Sequence, residues 1–158
     1  EDWETLEDAV GRLLIERGLT LATAESCTGG LLGNRITNVA GSSEYYLGGI
    51  VSYSDSAKMN LLGVSQETLK EFGAVSEETA QEMAAGARRV LQSDVGVSIT
   101  GIAGPTGGTE DKPVGLVYIA VDVAGDVAVR KFVFSEDRRY NKELSAQAAL
   151  NLVRMSMG

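Results

Sequence analysis

Two short apolar runs, each breaking into a glycine-rich stretch, constrain the fold of this chain most. Leu19–Ala24 and Val95–Thr100 have the length and composition of buried strands. Buried strands of this kind belong to sheets that are covered by helices on both faces. The chain has 158 residues, which suits one domain with a sizeable core. We therefore expect a single domain that spans residues 1–158.

The other segments alternate between helical and strand patterns. Apolar residues at helical spacing predict helices over residues 4–17, 30–39, 54–62, 66–72, 76–92 and 137–156. Tyr45–Tyr53 is rich in aromatic and β-branched residues and predicts a strand. Two later strands, 115–123 and 127–134, are separated only by Ala124-Gly125-Asp126, so we expect an antiparallel hairpin. This order predicts an α/β fold with a mixed sheet that includes a C-terminal antiparallel hairpin.

Charge and composition exclude several classes of function. The net charge is −8, whereas binding to nucleic acid needs clustered Lys and Arg. A single cysteine precludes an internal disulfide and fits a reducing, cytoplasmic location. We see neither a signal-peptide pattern nor an apolar run of roughly 18–20 residues. We therefore expect a cytoplasmic protein that binds neither nucleic acid nor membranes.

The stretch after the first apolar run, Ala24–Gly30 (AESCTGG), places a serine at a strand-to-helix junction. A serine in this position is more often a helix N-cap, which is the plainer interpretation of Ser26. The alternative is a nucleophile, because Thr28, Gly29 and Gly30 allow close approach of a ligand and the backbone amides after Ser26 can hold an oxyanion. The chain has no histidine, so the base would have to be Lys, Tyr, Asp or Glu.

A candidate pair of acid–base residues lies in the segment Tyr53–Lys58 (YSDSAK). Taken singly, Tyr53 fits a half-buried strand tyrosine and Lys58 a solvated lysine. If the strands before Ser26 and Tyr53 are parallel, their carboxyl ends share one edge of the sheet and bring these side chains together. A partly desolvated lysine loses its proton more easily. Cys27 competes as a nucleophile, but a lone cysteine without a histidine partner fits an inert wall residue better.

The most glycine-dense stretch, Thr100–Thr109 (TGIAGPTGGT), also follows a strand. It lacks the Gly-Lys-[Ser/Thr] of a P-loop and any Gly-x-Gly-x-x-Gly. Its glycines and proline favour a loop that embraces a ligand over a plain flexible loop. Arg138 and Arg139 open the last helix against its dipole, which indicates an anionic ligand or partner nearby. With no histidine and one cysteine, no zinc site is expected.

Together these segments resemble the CinA C-terminal domain family, the nicotinamide mononucleotide amidases, from about Leu6 to Val153. The pieces that carry the resemblance, in order along the chain, are AESCTGG at 24–30, YSD at 53–55 with Lys58, TGIAGP at 100–105, GGT at 107–109 and KPVG at 112–115. The joint occurrence of these pieces in this order is far more specific than any one of them.

The resemblance implies a three-layer α/β/α domain that hydrolyses the carboxamide of nicotinamide mononucleotide to nicotinic acid mononucleotide and ammonia, with no metal or cofactor. It implies that Ser26 is the nucleophile, that Lys58 and Tyr53 handle its proton, and that Thr100 and Gly101 line the ligand site. The expected partner is the nucleotide substrate. A homo-oligomer is compatible with the resemblance, and some relatives carry an N-terminal pyrophosphatase-like domain.

Two alternatives stay open beside this interpretation. One is a pyridine-nucleotide-binding regulatory module with little activity, and the other is a Ser/Lys amidase that acts on another amide.

The sequence departs from the family pattern where Glu136 occupies a glycine position and Asn141-Lys142 replaces an apolar-Arg pair. We expect the substrate phosphate to bind the 100–109 loop and Arg138. At the replaced pair, Lys142 supplies charge without the bidentate fork of an arginine.

Overall fold

The structure is a computed structural model that describes residues 4–158. Residues 1–3 of the predicted domain lie outside the described part. The elements, in chain order, are α1 (Leu6–Arg17), β1 (Leu21–Glu25), α2 (Leu31–Thr37), β2 (Tyr46–Val51), α3 (Asp55–Leu62), α4 (Gln66–Phe72), α5 (Glu77–Leu91), β3 (Val95–Gly101), β4 (Leu116–Val123), β5 (Asp126–Val133) and α6 (Arg138–Met157). A short 3₁₀ turn, Ser42–Glu44, lies between α2 and β2.

The strands form one five-stranded mixed sheet in the order β2-β1-β3-β4-β5. β1 is parallel to both β2 and β3, whereas β4 and β5 are antiparallel to their neighbours. This confirms the predicted α/β class and the C-terminal hairpin. Ala124 and Gly125 turn the hairpin with φ values of 52° and 96°. Positive φ at both turn positions matches the right-handed twist of the flanking strands.

The pleat of the strands sends alternate side chains to two helical layers. On one face, apolar residues of the central strands pack against α1, α2 and α6; this main core includes Leu14, Leu32, Ile99, Ile119 and Leu150. On the other face, small residues meet α3 and α5; this core includes Ala22, Ala24, Leu62, Met83 and Ala87. The small residues let α5 approach the sheet closely. A Cβ added at Gly96 would lie 2.3 Å from the Ala84 carbonyl oxygen.

Two strand boundaries differ from the sequence expectation by two residues, and the other differences are of one residue. The first strand begins at Leu21 rather than Leu19, because the Leu19 N–H donates to the Leu14 carbonyl and completes the C-terminal cap of α1. The second strand ends at Val51 rather than Tyr53. After this point the carbonyls of Ser52 and Tyr53 accept hydrogen bonds from the Lys58 side chain. Both ends are therefore decided by competing hydrogen bonds.

Candidate active site

A cavity of about 350 Å³ lies at the carboxyl ends of the parallel strands β1, β2 and β3. In open α/β sheets this edge is the usual place for ligands. The cavity is lined by Ser26, Cys27, Tyr53, Asp55, Lys58, Ala74, Val75, Thr100, Gly101, Ile102, Ala103, Gly104, Thr106, Gly107 and Arg138. It thus collects residues from segments that lie far apart in the sequence.

The alternation of side chains along β1 places Glu25 and Ser26 on opposite faces of the sheet. Glu25, the last strand residue, is buried under α2. Its carboxylate accepts hydrogen bonds from the Leu32 and Gly33 N–H groups at 2.9 and 3.0 Å and so caps α2. The backbone N-cap of this helix is Gly30. The interpretation of Ser26 as an N-cap is therefore wrong, because Glu25 already fills that role.

Ser26 falls on the opposite face, toward α3. Its Oγ lies 2.9 Å from Lys58 Nζ, which donates to it. Ser26 is 7% exposed and lines the cavity. Its backbone N–H donates to the Ile99 carbonyl of β3, which holds the residue in line with the sheet. The serine hydroxyl is thus in contact with one side chain that can carry a proton.

Lys58 is only 1% exposed, which contradicts the expectation of a solvated lysine. Besides Ser26 Oγ, its Nζ donates to the carbonyls of Ser52 and Tyr53 at 3.0 and 3.2 Å. No carboxylate lies within ion-pair distance of this nitrogen in the part of the chain that the structure describes. Burial lowers the pKa of Lys58 from its ordinary value, and the nearby Asp55 opposes this only in part.

Tyr53 lines the cavity with a largely exposed side chain. Its side chain is 64% exposed, so the expectation of a half-buried strand tyrosine is wrong. Its hydroxyl accepts a hydrogen bond from Arg138 Nη2 at 3.3 Å. The other arm of the guanidinium, Nη1, donates to the Gly104 carbonyl at 2.7 Å. Arg138 therefore links Tyr53 to the glycine-rich loop.

Of the four residues that follow Ser26, one lines the cavity and the other three make local backbone or side-chain contacts. Cys27 lines the cavity but is buried, and burial raises the pKa of its thiol to about 11, so a thiolate is disfavoured near neutral pH. Thr28, Gly29 and Gly30 do not line it. The Thr28 hydroxyl donates to Glu25 at 2.7 Å, and the Gly29 N–H donates to the Ser26 carbonyl. Gly30 instead begins α2 as its N-cap, with φ of 105°.

Three backbone amides remain near the serine. Within residues 4–158, no backbone carbonyl accepts a hydrogen bond from the N–H of Cys27, Thr28 or Gly30. Gly29 was predicted to contribute to an oxyanion site, but its N–H is already used. The amides of Cys27 and Thr28, which directly follow Ser26, are the candidate donors for a negative charge that develops beside it.

Thr100 and Gly101 end β3 and form one wall of the cavity. The Thr100 hydroxyl donates to the Ala74 carbonyl at 2.7 Å, so it fixes the loop between α4 and α5 against the sheet. A Cβ at Gly101 would lie 2.7 Å from Val117 Cγ2, which leaves no room there for a larger residue. These two positions shape the wall through packing and one internal hydrogen bond.

Sequence reasoning missed three residues of the lining, Asp55, Ala74 and Val75. Asp55 opens α3 and carried only the signal of a helix start, although it belongs to the same short motif as Tyr53 and Lys58. Ala74 and Val75 had no signal at all. They reach the cavity because their loop packs against the end of β3, which is a long-range contact.

Three positions depart from the family pattern, and none of them is part of the lining of the cavity: Glu136, Asn141 and Lys142. Lys142 Nζ lies 3.9 Å from the position that a Cβ at Gly29 would occupy, so its charge is close to the turn after Ser26. Asn141 is 1% exposed and contacts the glycine-rich loop. The start of α6 therefore touches both loops that form the cavity.

Over residues 4–158, His, Cys, Asp and Glu side chains form no group of three or more that is placed to hold a metal ion. None of the helices described combines the length and the apolar character that crossing a bilayer requires.

Comparison with known proteins gives a consistent result. The model of the CinA C-terminal domain family matches residues 3–157. A CinA-like protein of Chloroherpeton thalassium is 57% identical over 153 residues, which cover 94% of this chain and 36% of that protein. A CinA-like protein of Kosmotoga olearia is 53% identical over 154 residues, covering 98% and 37%. The chain thus spans little more than a third of the length of these curated relatives, which have room for another domain.

Solved structures show the same likeness in three dimensions. A competence-damaged protein (CinA) superfamily protein from Klebsiella pneumoniae superimposes with a TM-score of 0.93 at 36% identity, covering 96% of this chain and 95% of that one. The competence/damage inducible protein CihA from Agrobacterium tumefaciens gives a TM-score of 0.90 at 39% identity, with 96% and 94% covered. By family model, sequence and fold, the chain belongs to the CinA C-terminal domain family.

Proposed function

We propose that this chain is an amidohydrolase that converts nicotinamide mononucleotide to nicotinic acid mononucleotide and ammonia. The observation that carries the proposal is the contact of 2.9 Å between Ser26 Oγ and Lys58 Nζ, both nearly buried, at the wall of a cavity. A serine paired with a desolvated lysine is a known arrangement for an activated nucleophile. The resemblance of the flanking motifs to the nicotinamide mononucleotide amidases supplies the substrate.

The surroundings of Lys58 suit a neutral amine that acts as a base. In that state the amine keeps two N–H groups and one lone pair. The carbonyls of Ser52 and Tyr53 are placed to accept the two N–H groups, which directs the lone pair toward Ser26 Oγ. Burial lowers the pKa of Lys58 and so increases the fraction of neutral amine. The same carbonyls stabilise the ammonium that forms when Lys58 takes the serine proton.

The reaction then follows two steps of acyl transfer. Ser26 Oγ attacks the carboxamide carbon while its proton passes to Lys58, and the amides of Cys27 and Thr28 hold the oxyanion. Lys58 returns the proton to the departing nitrogen, the C–N bond breaks, and ammonia leaves an ester on Ser26. Water, deprotonated by Lys58, attacks the ester carbon, and Lys58 returns that proton to Ser26 Oγ as the C–Oγ bond breaks. This releases the acid product and the free serine.

Tyr53 has a binding role in this mechanism rather than a part in proton transfer. Its hydroxyl bonds to Arg138 and its side chain is largely exposed. An exposed aromatic ring that lines the cavity can pack on the flat pyridine ring of the substrate. The proton of Ser26 is then handled by Lys58, which contacts it directly.

Arg138 and the glycine-rich loop form the proposed phosphate site. The acidic chain needs local donors to hold a phosphomonoester. Arg138 lines the cavity, as do Gly104, Thr106 and Gly107. No backbone carbonyl within the described residues accepts from the N–H groups of these three. An arginine among unpaired amides suits a phosphate of one or two negative charges.

Release of ammonia from nicotinamide mononucleotide, measured with its riboside and with simple amides, tests the proposal. We expect the nucleotide to be used and the riboside to be a much poorer substrate. Arg138→Ala should weaken use of the nucleotide selectively, by on the order of 1.5–3 kcal/mol for one charged hydrogen bond. Arg139→Ala is the matched control, since Arg139 is the next residue of α6 but does not line the cavity.

Three outcomes would contradict parts of the proposal. Equal turnover of riboside and nucleotide removes the phosphate site. Turnover of other amides but not of the nucleotide favours a Ser/Lys amidase of different specificity. Tight binding of the nucleotide without ammonia release, by a folded protein, favours the regulatory module instead.

A further inference from the structure

Asn141 is a buried residue for which the proposed reaction has no direct use. It is 1% exposed and lies in the first turn of α6. It stands where the family pattern has an apolar residue. A buried amide group is retained at no penalty only when its donors and acceptor are paired.

The side chain of Asn141 is fully engaged with two separate backbone segments. Its Nδ2 donates to the Ala103 carbonyl at 3.0 Å and to the Glu136 carbonyl at 2.9 Å. Its Oδ1 accepts from the Glu136 N–H at 3.0 Å. One side chain thus ties the segment that enters α6 to the glycine-rich loop that lines the cavity.

Arg138 makes a parallel contact one turn earlier on the same helix face. Its Nη1 donates to the carbonyl of Gly104, which directly follows Ala103. Arg138 and Asn141 therefore hold two consecutive carbonyls of one loop. Because those carbonyls are bound from the α6 side, the position of the loop relative to the Arg138 guanidinium depends on both contacts.

We propose that Asn141 is a positioning residue that sets the phosphate-binding geometry by holding the Ala103–Gly104 carbonyls and the Glu136 turn around Arg138. This inference rests on the proposed function, since it assigns Arg138 and the loop amides to the phosphate. Asn141 does not touch the substrate. It acts through Arg138, so its loss affects binding of the phosphate and leaves the chemistry at Ser26 intact.

Asn141→Asp is the most selective variant, because it preserves the shape and the acceptor for the Glu136 N–H. It removes the donor to the Ala103 and Glu136 carbonyls and places a carboxylate oxygen against them. We expect KM for nicotinamide mononucleotide to rise by about tenfold, the worth of roughly one such hydrogen bond. The value of kcat, and kcat/KM for the riboside, should stay within a factor of about two because neither involves the phosphate contact.

Two further variants separate positioning from mere stability. Asn151→Ala is the control, because this half-buried asparagine of the same helix does not line the cavity, and it should leave both substrates unaffected. Arg138→Ala combined with Asn141→Asp should raise KM no further than Arg138→Ala alone, because the two changes remove the same contact. If Asn141→Asp does not fold, Asn141→Ser is measured in the same way.

A binding measurement keeps this test independent of the amidase activity. Calorimetry with nicotinic acid mononucleotide and with nicotinic acid riboside should show that Asn141→Asp weakens binding of the nucleotide only. An equal fall for nucleotide and riboside, or additive effects in the double variant, overturns the positioning role. If the unmodified protein binds the nucleotide but releases no ammonia, the amidase proposal fails. The calorimetric comparison of nucleotide and riboside then still decides whether Asn141 has a positioning role.

Discussion

The junctions at the ends of the parallel strands β1 and β2 use the same residue type for opposite purposes. At the β2–α3 junction, Ser54 is the N-cap of α3 and its Oγ accepts from the Ala57 N–H at 3.0 Å. At the β1–α2 junction, Ser26 caps nothing and its Oγ accepts from Lys58. Residues 26–30 separate β1 from its helix, whereas only residues 52–54 separate β2 from α3. The longer junction leaves Ser26 outside the helix start.

The difference shows that a serine becomes available for chemistry only when another group satisfies the helix. At the β1–α2 junction that group is Glu25, which reaches the Leu32 and Gly33 amides from the opposite face of the strand. At the β2–α3 junction no strand residue does this, and Ser54 is needed as the cap. The helix cap and the contact with Lys58 are thus divided between Glu25 and Ser26 because the pleat turns these neighbours to opposite faces.

Ser26→Ala should give the largest effect on function. We expect ammonia release from nicotinamide mononucleotide to fall by at least about 10⁴-fold, as for the loss of other serine nucleophiles. The protein should stay folded, with the free energy of unfolding lowered by about 0.5–1.5 kcal/mol for one hydrogen bond. Initial rates and urea unfolding check both numbers. Turnover near that of the unmodified protein would end the assignment of Ser26 as nucleophile.

Lys58→Met, which removes the amine but fills much of its space, should lower kcat by roughly 10²–10⁴, the usual worth of positioned acid–base help. Since burial lowers the pKa of Lys58, the rate of the unmodified protein should rise with pH as the amine becomes neutral. The variant should lose that rise. A rate profile that is the same in both proteins would exclude Lys58 as the base.

Lys58 should also affect how stability depends on pH. Between its lowered pKa and the ordinary value of 10.5, the unfolded chain holds the proton and the folded chain does not. Stability rises with pH wherever the unfolded state binds more protons. The free energy of unfolding of the unmodified protein should therefore increase across this alkaline window relative to Lys58→Met. Urea titrations of both proteins at several pH values would show parallel curves if the lysine were solvated.

Glu25→Gln tests the division of roles at the first junction. The amide can accept at one oxygen only, so it cannot bond the Thr28 hydroxyl and both helix amides as the carboxylate does. We expect the free energy of unfolding to fall by about 1.5–3 kcal/mol, because hydrogen bonds to a charged group are lost. The measurement is urea unfolding. A change below the error of that method would show that α2 does not depend on Glu25.

Ser54→Ala is the matched control and should have the smallest effect on catalysis. It removes an N-cap, which lowers the free energy of unfolding by about 1 kcal/mol. This loss is similar to that of Ser26→Ala, yet the rate of ammonia release should stay within about tenfold of the original, equivalent to a barrier change below about 1.4 kcal/mol. Comparable rates for the two alanine variants would remove the contrast between the junctions.

Local patterns in the sequence were sufficient for much of the fold. The predicted helix 66–72 coincides with α4, and the first residues of the predicted helices 76–92 and 137–156, Ser76 and Asp137, are the N-caps of α5 and α6. The hairpin β4–β5 followed from its short connection. These features depend on residues within a few positions of each other, which is why periodicity and capping preferences were enough.

The membership of the candidate site was predictable only in part. The cavity is lined by seven predicted residues, Ser26, Cys27, Tyr53, Lys58, Thr100, Gly101 and Arg138, but not by Thr28, Gly29 or Gly30. The parallel strands led us to expect Ser26, Tyr53 and Lys58 together. Their partners were not predictable. The Tyr53 hydroxyl bonds to Arg138, 85 positions away, and Thr100 bonds to the loop at Ala74. Contacts at such separations depend on how the layers pack, which no local pattern encodes.

By itself, the sequence determined the order of helices and strands and the set of strand ends from which a site could form. Only the tertiary structure decided that Glu25 caps α2, that Lys58 is buried against Ser26, and that Tyr53 remains exposed. The physical reason is that strand alternation tells which residues share a face but not which face a helix covers. Once α2 and α3 cover opposite faces of the sheet, Glu25 meets one helix and Ser26 meets the other.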